Sequence, residues 1–326
     1  MKHFFRIAPA LACAALTLIA CNNFQADPFE EEQQGQLCNI NVTLGGAAVD
    51  IQTKATGEAA SIATAEAKVN SLQVLVFRGD ILDAYATVNN ASTLSLSCTA
   101  GSRKIYAVVN APDLSSVSSL SAFEAAAVDL SANTTSSFVM VGSKTVTLPG
   151  TKSVEIDVSR LVSRVVLKKI SRNFTSPSLA ALGFKVDKIY LVNAAGSFNY
   201  GQTAAPTKWY NLGENKSELP ALLYDAPSAT VANNSSYNTL HYFYAMPNPA
   251  SSKVTKLVIE ATLGTQKYYY PIALPAMEPN KSYEIAGVTI KRGGSENPDT
   301  PITSDDISFS VTVKNWVTSE ISEQLI

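Results

Sequence analysis

Three short sequences recur in the same order in the two halves of the chain, and this constrains the fold more than any other feature. The three echoes pair AKVNSLQVLVF (67–77) with FKVDKIYLVNA (184–194), KIYAVVNAP (104–112) with HYFYAMPNP (241–249), and TKSVEIDV (151–158) with NKSYEIAGV (280–288). Repeats in a fixed order indicate duplicated structural units. We therefore predict two similar domains, and the first repeat closes at residue 158.

The repeated segments and most of their surroundings have apolar residues at every second position, between turns rich in Gly, Pro and Asn. A period of two is typical of strands with one buried face. A chain of 326 residues with 46% hydrophobic and 16% charged residues can bury two sizeable cores. We predict an all-β fold of two sandwiches. One stretch, residues 118–130, favours a short helix with Leu120, Phe123 and Ala127 on one face.

The first twenty residues combine a basic start, MKHFFR, with a 14-residue apolar run that is too short to span a bilayer stably. They predict an export signal. The run ends in Leu18-Ile19-Ala20-Cys21 and resembles the bacterial lipobox, which predicts cleavage between Ala20 and Cys21 and attachment of diacylglycerol and palmitate to Cys21. The alternative is an ordinary signal peptide that happens to contain a cysteine.

The predicted organisation is a signal peptide (1–20), an N-terminal sandwich (21–158), a C-terminal sandwich (159–292) and an appendage (293–326). The appendage has no counterpart in the first half of the chain. It begins with a flexible Gly-Gly-Ser sequence at 293–295 and then continues as a Pro-containing spacer to a last strand.

That last strand, ISFSVTVKN, has the same pattern as LCNINVTL, the first strand after the signal (37–44). Apolar residues alternate with polar ones in both segments, so each segment has one face to bury. The matching residues are Cys38, Ile40, Val42 and Leu44 in the first strand, and Ile307, Phe309, Val311 and Val313 in the last. Four apolar residues at equal spacing can fill the same slot in a sandwich.

Between the first strand and the first echo, residues 45–66 are rich in Gly, Ala and Thr and predict an exposed loop open to proteolysis. A cut there would free the first strand and leave a groove with unpaired backbone. Such a groove is a template for a strand from another molecule, and a head-to-tail contact of this kind propagates as a filament. Trp316 follows the last strand, either as an anchor in the recipient or packed against a turn of its own subunit.

The sequence argues against several other classes of function. Once the signal is removed, His241 is the remaining histidine, and no HExxH, GxSxG or phosphate-binding glycine loop is present. We therefore expect no enzyme activity, no metal site and no cofactor. The formal charge of −2 leaves no basic field for nucleic acid. His241 is expected to be a surface or packed histidine, and the Tyr268–Tyr270 run to alternate between the two faces of a strand.

Cys38 and Cys98 are the two cysteines that remain after the signal and the lipidation site. Cys98 shares an apolar face with Leu94 and Leu96, so a disulfide is open to it if its strand neighbours the strand of Cys38. Two free thiols that pack as small apolar groups are the alternative, which we favour.

Several segments together resemble the fimbrillins, the type V pilins of Bacteroidales, and in particular their major fimbrial subunits. The segments are the lipobox, the first strand with its loop, CTAGSRKIYAVVNAP, RLVSRV, NKSYEI and, most specifically, NPDTPITSDDISFSVTVKNWV. The resemblance implies two transthyretin-like Greek-key sandwiches in tandem and an outer-membrane lipoprotein precursor. It further implies removal of the first strand by a trypsin-like protease, and assembly with copies of itself and related pilin subunits into extracellular fimbriae that support adhesion. The C-terminal strand would be the donor in this strand exchange.

The cleavage loop departs from the family pattern. The family is cut after an arginine, whereas no arginine occurs between Arg6 and Arg78 here, and Lys54 occupies the matching place before Ala55. Either the protease accepts lysine or the subunit stays uncut as an anchor or accessory pilin. A surface-exposed binding lipoprotein that never polymerises is the alternative from another class.

Overall fold

The computed structural model describes residues 35–46, 60–249, 253–303 and 305–316. The predicted signal, the lipidation residue Cys21 with its neighbour Ala20, and the predicted cleavage site Lys54-Ala55 lie outside the described residues. Within them, no helix is long and apolar enough to cross a membrane.

The described chain is built almost entirely from strands. The strands are β1 (Leu37–Gly46), β2 (Ser71–Arg78), β3 (Ile81–Asn89), β4 (Thr93–Thr99), β5 (Gly101–Val109), β6 (Ala127–Asp129), β7 (Met140–Leu148), β8 (Ser153–Arg160), β9 (Ser163–Leu167), β10 (Ile170–Arg172), β11 (Phe184–Val192), β12 (Ala194–Ala195), β13 (Ser197–Asn199), β14 (Trp209–Tyr210), β15 (Tyr224–Asp225), β16 (Ala229–Thr230), β17 (Ser235–Tyr237), β18 (His241–Ala245), β19 (Lys256–Leu263), β20 (Gln266–Ala273), β21 (Lys281–Ile290) and β22 (Ile307–Asn315). The helices are α1 (Ala60–Glu66), α2 (Leu120–Ala125), α3 (Pro177–Ala180) and α4 (Pro220–Leu223), with a 3-10 turn at Leu130–Ala132.

The strands form one large sheet in the N-terminal half and two in the C-terminal half. The first sheet has the order β3-β2-β5-β7-β8-β1-β4. The second has the order β17-β10-β21-β9-β18, with β22 paired to β21, and the third has the order β15-β11-β19-β20, with β16 paired to β11. The prediction of an all-β fold is confirmed, because β-branched and aromatic residues at alternate positions cover the buried faces of these sheets.

The strand partners support two of the three sequence echoes and correct the third. β2 and β11 hold equivalent central places, and both β8 and β21 run parallel to the strands that open their halves. The second echo aligned β5 with β18, which is wrong. β18 pairs with the opening strand β9, as β4 pairs with β1, and the counterpart of β5 is β19. Strands rich in aliphatic and aromatic residues look alike in sequence wherever they lie in a sheet.

Two apolar cores lie on opposite faces of β2 and β5. Leu72, Val74 and Val76 of β2 face a core shared with β1, β4 and β8. Leu75 and Phe77 face a larger core that continues into the C-terminal half. The first core therefore belongs to the N-terminal half alone, and β1 is one of its walls.

Three predictions about local structure need correction. The first strand extends beyond residue 44 to Gly46, and the end of the predicted loop is the helix α1, whose last residue Glu66 is buried. The predicted helix at 118–130 is shorter, because Ala127 already belongs to β6. Phe123 on its buried face is nevertheless in the larger core.

The spacer predicted to be flexible packs along β20 instead. Ser295 exchanges two backbone hydrogen bonds of 2.8 Å with Tyr269. Asp299 accepts a hydrogen bond of 2.6 Å from Lys256 Nζ. The appendage thus follows the surface of the C-terminal half before it becomes β22.

Candidate functional site

The first strand is a central strand of its sheet. β1 pairs antiparallel with β4 over residues 37–43 and parallel with β8 over residues 41–46. Among the described residues, β4 has no other backbone strand partner than β1. Removing β1 would therefore open a two-sided groove and leave β4 without its ladder.

The inner face of β1 is fully packed. Ile40, Val42 and Leu44 are 1%, 0% and 2% exposed and belong to the N-terminal core. The outer face is polar and bonds to β4, since Ser97 Oγ donates to Asn39 Oδ1 at 2.5 Å and Ser95 Oγ donates to Asn41 Oδ1 at 3.2 Å.

The strand ends in two glycines that other residues could not simply replace. A Cβ at Gly45 would lie 2.9 Å from Glu155 Oε1 and closer still to Asp157 Oδ1. Gly46 has a φ of +62°, and a Cβ there would lie 2.9 Å from the carbonyl oxygen of Val158. Most side chains are strained at such a φ. The space that β1 occupies between β4 and β8, which we call the slot, is thus narrow at its Gly45–Gly46 end. The exposed carboxylates of Glu155 and Asp157 line that end.

Cys38 and Cys98 lie directly opposite one another on β1 and β4, and both are free thiols. The bonds from Ala100 N to Gln36 O and from Leu44 N to Ser92 O fix the alternation of the ladder. They make Cys38–Cys98 a hydrogen-bonded pair, in which the Cβ atoms stand farther apart than a disulfide prefers. Burial, and then the nearby Cys38, raise the pKa of the Cys98 thiol to about 12. This geometry supports the preference for two free thiols, which stays a prediction.

The tail strand β22 is an edge strand whose apolar row is largely exposed. It pairs antiparallel with β21 along one side. Ile307 is buried, but Phe309 and Val313 are 41% and 47% exposed, although they occupy the alternating positions that are buried in β1. An edge strand with an exposed apolar row is open to a second partner.

Ion pairs and a tryptophan hold this strand to its own half. Lys314 Nζ lies 3.1 Å from Glu284 Oε2 on β21, and Lys168 Nζ lies 2.9 Å from the same oxygen. Trp316, which follows β22, is 1% exposed and therefore packs within its own chain. Whether Trp316 also serves as an anchor in a recipient subunit stays a prediction.

Trp316 ends in a buried polar cluster that we call the Glu66 hub, formed by Glu66, Arg160, Arg164, Tyr244 and Trp316. Glu66 Oε2 accepts hydrogen bonds from Trp316 Nε1 and Arg164 Nη1, both at 3.0 Å, and Oε1 accepts one from the Tyr244 hydroxyl at 2.6 Å. The last residue of α1 thus contacts the residue after the tail strand. The Glu66 hub therefore connects α1, which follows the predicted cleavage site, to the C-terminal end of the tail strand.

Arg160 closes the hub from the other side. Its Nε donates to the carbonyl oxygen of Glu66 at 3.1 Å, and its guanidinium lies 4.5 Å from the centroid of the Trp316 ring. Burial lowers the pKa of Arg160 to about 10. A cation stacked on the ring face stabilises the indole where water is absent.

Sequence reasoning missed Glu66, because one acidic residue at the end of an Ala- and Thr-rich segment carries no pattern. The one feature of the sequence that could have indicated it is a single carboxylate after six uncharged residues, 60–65. The side chains set aside earlier lie as expected: His241 is packed, with Nδ1 at 2.7 Å from Asp225 Oδ2. Tyr270 points into the larger core, whereas Tyr269 faces a small separate cluster.

Comparison with known proteins agrees with this geometry. Residues 38–158 match the family model described as "Major fimbrial subunit protein (FimA)". A putative cell adhesion protein from Bacteroides eggerthii superposes with a TM-score of 0.66 at 21% identity, over 87% of this chain and 97% of that one. The fimbrilin FimA of Porphyromonas gingivalis has a TM-score of 0.59 at 17% identity, over 87% and 98% of the two chains. The P. gingivalis tip fimbrial protein Mfa3 has a TM-score of 0.51 at 14% identity, over 86% and 100%.

The matched region contains the first strand, its β4 and β8 partners and the first core. Residues 38–158 are thus similar to the FimA major fimbrial subunits, and the described chain has the fold of the solved fimbrilin.

Proposed function

We propose that this protein is a structural subunit of a cell-surface fimbria that polymerises by strand exchange. In this mechanism the first strand of each subunit is removed, and the tail strand of a neighbour takes its place between β4 and β8. The matching family is one of structural fimbrial subunits, which fits a role without catalysis. The fimbria itself is extracellular.

The observation that carries the proposal is the contrast between β1 and β22. The two strands have apolar residues at the same spacing, but β1 fills a central slot and β22 lies at an edge with Phe309 and Val313 exposed. A strand that is satisfied on one side only, in a chain with a removable central strand, is complementary to the slot that removal creates.

The energies favour replacement of β1 over an empty groove. Burying three side chains such as Ile40, Val42 and Leu44 is worth roughly 1.5 to 3 kcal/mol each, or about 5 to 9 kcal/mol together. A cut subunit that lost β1 would forfeit this and leave the ladders of β4 and β8 unpaired. Burial of Phe309 and Val313 from an exposed state then adds to the gain on assembly.

Export and processing complete the proposal. The precursor is a lipoprotein of the outer membrane anchored through Cys21, and a trypsin-like protease cuts between Lys54 and Ala55. We keep the division into residues 21–158 and 159–292, with 293–326 as the donor appendage. The family resemblance and the position of Lys54 between β1 and α1 support this reading.

A second candidate within the same class is an anchor or accessory subunit that stays uncut. It is favoured by the lysine at the place where the resemblance leads us to expect an arginine. In that role β1 stays in its slot, and the subunit donates its tail without accepting one.

Deletion of residues 307–326 tests the proposal in cells that make the full chain. A fimbrial subunit loses its heat-sensitive high-molecular-weight ladder on SDS gels, whereas a monomeric surface receptor shows no change. Lys54→Ala separates shaft from anchor, because a shaft subunit then stops accepting tails and keeps its β1. Lys68→Ala is the matched control, since Lys68 is exposed on the far side of α1. Normal assembly of the Lys54 variant, with an unchanged N-terminal sequence, would contradict the cut site.

A further inference from the structure

We infer, on the basis of the proposed function, that the tail strand enters the neighbour's slot in the same direction as the β1 that it replaces, with Ile307 at the place of Cys38 and Lys314 held by Glu155 and Asp157 of the recipient. These two carboxylates, together with the slot of Gly45 and Gly46, would set the direction and the register of the inserted strand. Strand exchange alone fixes neither.

The two faces of the strands match in this register. Phe309, Val311 and Val313 replace Ile40, Val42 and Leu44 on the core face. On the outer face the tail presents small hydroxyl residues where β1 has Asn39, Asn41 and Thr43, opposite the exposed Ser97, Ser95 and Thr93 of β4. Phe309 is larger than Ile40 and Val313 is smaller than Leu44. The inserted strand therefore places more side-chain volume near the position of Ile40 and less near that of Leu44.

The Gly45–Gly46 end of the slot supplies the negative charge that selects the register of the inserted tail strand. Lys314 would occupy the place of Gly45, which lies opposite Asp157 in the parallel ladder and beside the side chain of Glu155. Both carboxylates are exposed, and neither forms an ion pair within the part of the chain that the structure covers. The contacts that a Cβ would meet there are the ends of flexible side chains, which can move to receive a lysine.

The next position requires a positive φ, which the tail can adopt, and its Cβ needs a small shift of backbone away from the carbonyl oxygen of Val158. Asn315 would occupy the place of Gly46, whose φ is +62°. Asparagine tolerates this left-handed conformation better than most residues. This chain itself uses asparagine in that way, because six of its ten described non-glycine residues with positive φ are asparagines.

Other arrangements are worse at these same positions. In the reversed direction with the apolar face kept, Asp306 and Asp305 would occupy the places of Gly45 and Gly46, beside two carboxylates of like charge. A slip of two residues one way puts Val313, which is β-branched, at the positive φ of Gly46. A slip the other way buries Asn315 at the place of Leu44.

Lys314 has equivalent glutamate partners before and after strand exchange. In its own chain Lys314 pairs with Glu284 of the NKSYEI segment. Glu155 is the residue at the same place in the TKSVEI echo. The tail lysine would thus leave the carboxylate of one repeat for its counterpart in the first repeat of the next subunit, so that transfer leaves no unpaired lysine behind.

Engineered crosslinks report the direction and the register in the assembled full chain. The variant Ser308→Cys with Ser97→Cys, in a Cys98→Ala background, brings the new thiols opposite each other in the proposed register. That pair is not hydrogen-bonded, which suits a disulfide. Ser308→Cys with Thr93→Cys is the matched control for the reversed direction, and Ser308→Cys with Ser95→Cys reports a slip of two residues. All four positions are exposed, so the changes spare the fold.

We expect a covalent ladder on non-reducing gels from the first variant alone, which collapses when a reductant is added. A ladder from the Thr93 or Ser95 variant instead would overturn the register while leaving strand exchange intact. Absence of any assembly, in the parent chain as well, would defeat the proposed function and the inference with it.

Charge reversal tests the carboxylates separately. Lys314→Glu should lower the assembled fraction about fivefold, as expected for the loss of a partly exposed ion pair and the gain of a repulsive one. Adding Glu155→Lys and Asp157→Lys in the same chain should restore assembly. A merely structural effect of Lys314→Glu would not respond to changes in β8, so failure of the rescue, with the precursor monomer folded, would refute the pairing.

Discussion

The first strand and the tail strand have the same alternation of residues but opposite surroundings. β1 has a strand on each side and a core beneath it, so Ile40, Val42 and Leu44 are withdrawn from water. Among the described residues β22 has one strand partner, β21, and its Phe309 and Val313 remain in contact with water. Burial of a strand is therefore set by the number of neighbours that its place in the sheet provides, and not by its own pattern.

The largest expected effect comes from matched substitutions in the two strands. Val42→Asp should lower the free energy of unfolding of the uncut monomer by roughly 4 kcal/mol, because it places a charge in a sealed core. Val313→Asp should change it by about 0.5 kcal/mol or less, because the side chain is half exposed. Urea denaturation of the two purified variants measures both values. Similar losses would show that the two strands are equally packed.

Substitution of Trp316, which follows β22, gives the next largest effect. Trp316→Ala should detach β22 from its own half, because removal of a buried tryptophan costs about 3 to 5 kcal/mol and leaves the Glu66 carboxylate with one donor fewer. Amide hydrogen exchange over residues 307–315 should then approach the rate of an open strand.

Trp209→Ala is the control for that experiment, since Trp209 is the second tryptophan and lies away from the hub. Protection of the tail strand that survives Trp316→Ala would mean that pairing with β21 alone holds it.

The thiol of Cys98 reports whether the slot is filled. With β1 in place, burial and the neighbouring Cys38 keep the pKa of Cys98 near 12, so the reactive thiolate is roughly a thousandfold scarcer than at the ordinary value of 9. Alkylation should be slow in the uncut chain, fast once β1 is removed from a chain without a tail, and slow again in the polymer. Mass spectrometry with Cys38→Ser as the reference assigns the signal. Equal alkylation of Cys98 in all three states would rule out an exchange of strands at this slot.

The smallest expected effect concerns the ion pair between Lys314 and Glu284, which holds the tail strand against β21 of its own chain. Burial raises the pKa of Glu284, but Lys168 and Lys314 outweigh it and hold this pKa below its usual range. The stabilisation is therefore complete above about pH 4.5, the ordinary pKa for this glutamate, and is lost as the pH falls through the lowered pKa. Because Lys314 is half exposed, we expect less than about 1 kcal/mol.

Limited proteolysis of the tail between pH 6 and pH 3 checks this, with Glu284→Gln as the variant that should lack the pH dependence. An identical acid response in that variant would assign the effect to another group.

Much of the architecture was predictable from residue patterns. The period of two identified β1 and β22, and the order of the echoes predicted a duplicated all-β chain. The echo that failed compared β5 with β18, because aliphatic and aromatic strands share composition and their partners lie far away in the sequence. The α1 helix was missed because Ala and Thr without a charge pattern predict a loop as readily as a helix.

The sequence by itself determined which strands have a face to bury, where two thiols lie, and that the last strand repeats the pattern of the first. Only the tertiary structure decided that β1 lies between β4 and β8, that β22 stays at an edge, and that Glu66 joins Trp316 across 250 residues of sequence. The physical reason is that alternation is a local property of the backbone. Strand neighbours, buried hydrogen bonds and the charge lining a slot arise from contacts between distant segments, which only the folded chain brings together.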